Sequence, residues 1–468
     1  MAAIVDSHAR RVTSTHVMPQ RSTVPPWLLS AAALGLIAFM IYALLLGSDV
    51  LRFGTHGRET IDAAVFYPDL SSWRAVVAAA EAAQARGLVQ VVQVQPESVS
   101  LRLPRTGRTL KLDWIPNRGT VETRTALESL LARPNPPRAI IGSSNTALTL
   151  ALASALATRG TAKTSPVLLL PDASAVAVNS GSDAGLLLSQ FPGRTFRVGL
   201  DNAHLANLLV QAQTTPERSP PSSVVIVIDP RDPCSIDFAN HFERVLRTRF
   251  PAAEVARDEL NSETDISQLA HQLVRDAANN RSAGMPWIVL TLQGDPARRV
   301  LLALQQASPG APPASFWVLC GDGLGLQSLE QLQPRLRYPV SCASSLSPRT
   351  SSLSNGRANF ASQLHTEGIG ALAGVLDQPS LPEDLAAALE GRTVTENAAR
   401  RPIAFRDGER DGVGLGSVLE LLPTSSRIKA RAPDASGRII TYTFIDDEWT
   451  RDEPSAGATS SAELSAGP

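Results

Sequence analysis

Between residues 224 and 323, short apolar runs alternate with amphipathic stretches in a regular cadence. Val224, Val225, Ile226, Val227 and Ile228 follow one another without a polar interruption and stop at Asp229 and Pro230. A run that is apolar at every position predicts a strand covered on both faces, as in a parallel sheet. In the next stretch Ile236, Phe238, Phe242, Val245 and Leu246 share one broad helical face, and Ile266, Leu269, Leu273 and Val274 share another. A strand over 287–292, a helix over 296–306 and a strand over 316–319 complete the series. Repetition of strand and helix in this order predicts an α/β unit whose right-handed crossovers build an open, doubly wound sheet.

The first half of the chain is less regular. Residues 63–67 predict an opening strand, 71–86 an alanine-rich helix stopped by Gly87, and 89–94 with 98–103 an added hairpin. Strands are expected over 109–114, 138–142 and 166–170, with a helix over 121–131. Beyond residue 323, 338–342 reads as a strand, 358–376 as a helix and 438–449 as a terminal strand pair.

Three segments carry a family resemblance by their order and spacing. Asp232-Pro233-Cys234-Ser235 precedes a helix, Thr264-Asp265-Ile266-Ser267 opens the next, and Cys320-Gly321-Asp322-Gly323-Leu324 closes the unit. Together they resemble the second lobe of type I periplasmic binding proteins, in particular the branched-chain amino-acid (Leu-Ile-Val-binding) receptor group. Residues 138–147 resemble that family's strand ending in a Gly- and Ser-rich loop, and Asp201-Asn202-Ala203-His204 its crossing into the second lobe. The resemblance runs from about residue 109 to residue 447. It implies an α/β, two-lobed fold of two doubly wound parallel sheets, with 60–198 and 326–430 forming the first lobe and 199–325 and 431–452 the second.

Residues 27–47 are uncharged and, at about 1.5 Å per residue, reach the roughly 30 Å of a hydrocarbon core. They predict one transmembrane helix ahead of the lobes. Arg10, Arg11 and Arg21 outweigh Asp6 before it, which leaves 1–26 as a cytoplasmic tail and puts the main domain on the periplasmic side of a bacterial cytoplasmic membrane. The competing reading, a cleavable signal peptide, calls for a shorter apolar region and a small-residue cleavage site, which Leu45-Leu46-Gly47 does not supply. Residues 453–468 are too poor in apolar side chains to order themselves.

Composition narrows the function classes. Lys plus Arg total 43 and Asp plus Glu 44, so a net charge of -1 gives no field for nucleic acid. The three cysteines and seven histidines show no metal-ligand spacing, and no cofactor or metal is expected. Cys320 and Cys342 read either as a disulfide pair, if the domain lies outside the cytoplasm, or as buried small apolar side chains. Nucleophile-elbow, P-loop, zinc-protease and dinucleotide fingerprints are all missing, so no enzyme is expected.

Ligands of open α/β sheets bind beyond the carboxyl ends of the strands. There, Ser143, Ser144, Asn145 and Thr146 open a helix whose free N–H groups and hydroxyls make a cradle for a carboxylate, with helix capping by Ser144 or Asn145 as the plainer role. By the resemblance, Asp172 and Ser174 add contacts at the same end of the ligand, and Asp322 pairs with its ammonium from the opposite lobe. Cys234 replaces a tyrosine that the family packs over the ligand, and Gln293, Gly294 and Asp295 lie where a second aromatic sometimes reaches in. Two extra carboxylates, Asp172 and Asp295, favour an amino-acid-like or cationic ligand. The expected role is therefore an anchored solute-binding or receptor-like protein that serves a permease or signalling protein. The alternative is a degenerate binding-protein fold acting as an interaction scaffold at the membrane.

Overall fold

The computed structural model describes residues 59–452, apart from 117–118, 144–145, 161, 178–185, 215–217, 262–263, 280–283, 309–314, 325, 333, 335, 347, 349–361, 391–403, 412–415, 424, 426, 435–437 and 446–447. The expected tails 1–26 and 453–468 and the span over 27–47 lie outside the described residues. Among the described residues no helix is long and apolar enough to cross a membrane.

The chain opens with β1 (Thr60–Tyr67) and α1 (Leu70–Ala85), then β2 (Gln90–Gln95), β3 (Ser98–Arg102) and β4 (Thr109–Pro116). It continues through α2 (Thr120–Leu131), β5 (Ala139–Gly142), α3 (Thr146–Ala157), β6 (Val167–Leu170) and β7 (Thr195–Arg197). β1 lies between β4 and β5 and is parallel to both, so its inner positions are buried from either face. Asp69 caps α1 by accepting the Ser72 N–H at 2.8 Å. The helix then buries Trp73, Val76, Ala79, Ala80 and Ala83, and Trp73 stacks on Trp114 of β4 with ring centroids 6.2 Å apart. The hairpin β2–β3 adds antiparallel strands beyond β4, and β2 forms an edge of the sheet with Val92 and Val94 exposed.

The second sheet begins after α4 (Asn202–Gln213) with β8 (Ser223–Ile228), α5 (Pro233–Arg249), β9 (Glu254–Glu259), α6 (Ile266–Asn279), β10 (Trp287–Leu290), α7 (Gly294–Ala307), β11 (Trp317–Cys320), α8 (Leu326–Leu332) and β12 (Val340–Ser344). Its parallel core runs β9, β8, β10, β11, β12. Asp232 accepts the Cys234 N–H at 3.0 Å at the start of α5, Pro233 sits in the first turn, and Arg247 and Arg249 close the helix against its negative end. The helices α9 (Gln363–Leu376) and α10 (Leu385–Leu389) and the short strands β13 (Ala404–Arg406) and β14 (Glu409–Asp411) then return to the first sheet. The strands β15 (Ser417–Leu421), β16 (Lys429–Pro433), β17 (Ile439–Ile445) and β18 (Glu448–Arg451) extend the second as antiparallel neighbours of β12.

The observed order corrects two expectations. The sheets are parallel only in their centres: the expected hairpin widens the first, and four antiparallel strands, of which the sequence led only to the last pair, widen the second. The lobe division is also different, because β12 and β15, read from sequence as part of the first lobe, belong to the second sheet, and the boundary expected at 430 falls inside β16. The reason lies in the register. Val318 and Cys320 pair with Val340 and Cys342, so the chain completes this parallel neighbour before it crosses. It passes between the sheets three times, after Arg197, after Ser344 and after Asp411.

Buried Arg197 ties the first and third crossings together. Its guanidinium donates to the Ala175 carbonyl at 2.6 Å and to Glu409 Oε1 at 3.0 Å, and lies 3.8 Å from Asp201.

Candidate functional site

The strand ends of the two sheets meet at one polar patch, which the first lobe enters through β1, β5 and β6. Gly142 ends β5 at φ 126°, and a Cβ there would stand 2.3 Å from the Phe66 carbonyl oxygen of β1, so only glycine fits. Ser143 follows, fully buried, and Thr146, also buried, opens α3. The Thr149 hydroxyl donates to the Ser143 carbonyl at 3.4 Å. Ser144 and Asn145, expected in the same cradle, lie outside the described residues.

Beyond β6, Asp172 is engaged by two groups that the sequence reading did not find. The Tyr67 hydroxyl, at the end of β1, donates to Asp172 Oδ2 at 2.8 Å, and His365 Nε2 of α9 lies 2.6 Å from that hydroxyl and 3.4 Å from Asp172 Oδ2. Burial, and then the Asp172 charge, push the Tyr67 hydroxyl well above the usual phenol range. His365 Nδ1 is buried with no hydrogen-bond partner.

Ser174 reaches across to the second lobe. Its hydroxyl donates to Asp322 Oδ1 at 3.4 Å and lies 3.5 Å from Cys234 Sγ. Asp322 is half-buried, and its carboxyl is raised from 3.8 to about 6: burial raises it, the Ser174 hydrogen bond lowers it, and the Asp172 charge raises it again. Cys234 packs into a first-lobe cluster with Phe66, Leu170, Ala173 and Phe191. Burial and the Asp322 charge lift its thiol to about 12. A thiol so raised stays protonated near neutral pH.

Asp295 is absent from this patch. It stands in the first turn of α7 with its side chain 60% exposed, 3.1 Å from the Arg298 guanidinium. Gln293, two residues earlier, takes the inward place and donates from Nε2 to Cys234 Sγ at 2.7 Å. The left-handed turn at Gly294, φ 56°, accounts for the difference, since it ends the strand-side path at Gln293 and starts the helix facing solvent.

Asn202 and Asp237 are the remaining unforeseen members. Asn202 donates to the Cys234 carbonyl at 3.3 Å and to Asp237 Oδ2 at 2.9 Å. Asp237, on α5, also accepts the N–H groups of Val176 and Ala177 at 2.8 and 3.0 Å, clasping the first-lobe loop. Burial opposes its ionisation, but His241 and these donors hold its carboxyl below the usual range.

Gly323 lets the Asp322 turn lie against Gln293. A Cβ there would meet Gln293 Cα at 2.6 Å and the Leu292 carbonyl oxygen at 3.0 Å, so backbone would have to move. Gly323→Ala is expected to destabilise the domain by about 1–3 kcal/mol, as overpacking does, and to raise the reactivity of Cys234 towards an aromatic disulfide reagent. An unfolding midpoint and a thiol reaction rate that both match the parent would reject this account of the turn.

The patch thus joins three carboxylates, of Asp172, Asp237 and Asp322, with buried hydroxyls and the amides of Asn202 and Gln293, which suits it to recognising a polar or positively charged group. Among the described residues no cluster of His, Cys, Asp and Glu is placed to hold a metal ion.

No family model and no curated protein matches the chain. Solved structures do. A leucine-binding protein from Thermotoga maritima superposes with a TM-score of 0.57 at 16% identity, covering 80% of this chain and 99% of that one. An ABC transporter substrate-binding protein from Desulfitobacterium hafniense, in complex with leucine, gives 0.56 at 14% identity over 80% of this chain and 100% of its own. A solute-binding protein from Rhodopseudomonas palustris, in complex with 4-hydroxybenzoate, gives 0.55 at 12% identity over 85% and 96%. At such identities the likeness is one of architecture, and the described part of the chain has the two-lobed, α/β fold of type I periplasmic binding proteins.

Proposed function

We propose that the domain is a solute-binding or receptor-like module that closes its two lobes on a small, amine-bearing ligand, either amino-acid-like or cationic. The observation that carries the reading is the Asp322 carboxylate of one lobe meeting the Ser174 hydroxyl of the other at 3.4 Å, in a patch where burial and the nearby Asp172 charge raise the carboxyl to about 6. An ammonium placed there relieves the repulsion and makes a charge-assisted hydrogen bond. In this reading Ser143, Thr146 and Ser174 furnish the facing wall. Neighbours of the same fold hold leucine, isoleucine or 4-hydroxybenzoate. Asp172 beside Ser174 argues against a simple anion at this site.

In this reading residues 27–47 anchor the protein with its N-terminus in the cytoplasm, and the domain hands its state to a permease or signalling protein. The scaffold reading has one observation in its favour: Cys234 already fills a first-lobe apolar cluster where a ligand's lid would sit. A melting screen of the purified chain with leucine, spermidine and small peptides separates the two. A ligand at a hundred times its Kd adds about 2.7 kcal/mol to stability. If a folded chain melts at the same temperature with every compound, the scaffold reading stands instead.

Proton linkage gives a second check. Asp322 is raised from 3.8 unfolded to about 6 folded, so its contribution is fully present below pH 3.8 and is lost as pH rises through about 6. Above that pH the buried charge costs roughly 2–3 kcal/mol. Without ligand, Asp322→Asn is expected to be more stable than the parent at pH 8, the gap closing towards pH 4. A stability difference independent of pH would dismiss the raised carboxyl.

A further inference from the structure

The second lobe holds a cysteine pair that the cleft does not use. Cys320 ends β11, Cys342 lies in β12, and the two are direct partners in the parallel register of these strands. Register partners point to the same face, and adjacent strands run about 4.8 Å apart. That spacing falls inside the roughly 4.4–6.8 Å of Cα separation that a disulfide spans. Both side chains are buried in one apolar cluster with Phe316 and Tyr338. A hydrogen bond to Cys320, and then burial, hold the Cys342 thiol well above its ordinary range. Cys234 belongs to a different cluster, so the pair has only itself to react with.

We propose that Cys320 and Cys342 form a reversible disulfide that staples the strand leading into Asp322 to the strand from which the chain crosses back to the first lobe. The oxidant is a small or protein disulfide, such as glutathione disulfide. One cysteine, as its thiolate, attacks that disulfide, forming a mixed disulfide and expelling one thiol. The other cysteine then attacks the mixed disulfide, closing the Cys320–Cys342 bond and expelling the second thiol. The protein loses two protons and two electrons, and the oxidant is reduced to two thiols. Burial keeps the thiolate scarce in the closed sheet, so exchange proceeds through local opening or during folding. The staple would hold the Asp322 turn and the second crossing in a fixed relation whether or not the cleft takes a ligand.

The test brings the full chain to equilibrium in glutathione buffers of stepped redox poise, with urea below the unfolding midpoint to permit opening. Free thiols are then alkylated under denaturing conditions, and the chain is digested without reduction. In oxidising buffer one alkylated cysteine, Cys234, and a linked peptide pair containing Cys320 and Cys342 are expected, and in reducing buffer all three cysteines are alkylated. Cys342→Ala should give no linked pair, with Cys320 either alkylated or carrying the unresolved glutathione adduct. In the parent chain, three alkylated cysteines at the most oxidising poise, glutathione adducts on Cys320, or a bridge to Cys234 would overturn the proposal. The thiol count does not depend on any ligand-induced melting shift, so this inference and the ligand reading fail separately.

Discussion

Replacing Asp322 by alanine is expected to abolish the melting shift that an amine-bearing ligand gives the parent chain. Truncation leaves the ligand's ammonium in the closed cleft without its counter-charge, a loss of about 2–5 kcal/mol for a desolvated pair. That corresponds to a Kd raised at least ~30-fold. Spermidine and leucine are the first probes. Asp322→Asn, which keeps a hydrogen-bonding side chain without the charge, should fall between parent and alanine. Titration calorimetry decides the matter: an alanine variant that binds the same compound with parental affinity removes Asp322 from the site. Because the carboxyl is raised to about 6, the parent's own affinity for the amine should weaken as pH drops below that value.

The largest expected effect on stability lies away from the cleft. Glu420 of β15 is almost fully buried and accepts from Arg218 Nη1 at 2.9 Å, from Arg218 Nη2 at 3.1 Å and from Arg431 Nε at 3.0 Å. Arg218 also lies over the Trp317 ring, 4.1 Å from its centroid. Glu420→Ala leaves two largely buried guanidinium groups facing each other, and breaking such an arrangement from one side costs about 3–5 kcal/mol. The urea midpoint should fall with little change in slope. A loss under about 0.5 kcal/mol, the size of an ordinary surface substitution, would show that solvent already screens the network.

The inner parallel strands of the second lobe, β8, β10, β11 and β12, were legible because each is a short, largely apolar run, as at Val224 to Ile228. The start of α5 was legible because Asp232 and Pro233 are a cap and a first-turn residue in sequence. β9 was not: it reads Glu-Val-Ala-Arg-Asp-Glu, an edge strand whose polar side chains face solvent. β13 and β14, at three residues each, are too short for any period to register.

The site divides in the same way. Ser174 and Asp322 were named from the sequence and lie 3.4 Å apart. Tyr67 and His365 meet although 298 positions separate them, because the second crossing returns α9 to the first lobe, and no local pattern carries that information. The resemblance pointed to the stretch from Gln293 to Asp295, and the turn at Gly294 decides that Gln293 and not Asp295 faces inward.

The threefold passage between the sheets also sets an order of events during synthesis. β7 pairs with β14, and about 200 residues, including the whole parallel core of the second sheet, separate Arg197 from Ala404. At roughly 5–20 residues per second, about 10–40 s pass in which the first sheet has an open edge at β7 and a face waiting for α9. During that interval the nascent first lobe leaves the β7 edge and the side of α1 that α9 covers without their native partners. It depends on the later-made segment, or on a holdase, to stay out of the intermolecular strand pairing that an open edge invites.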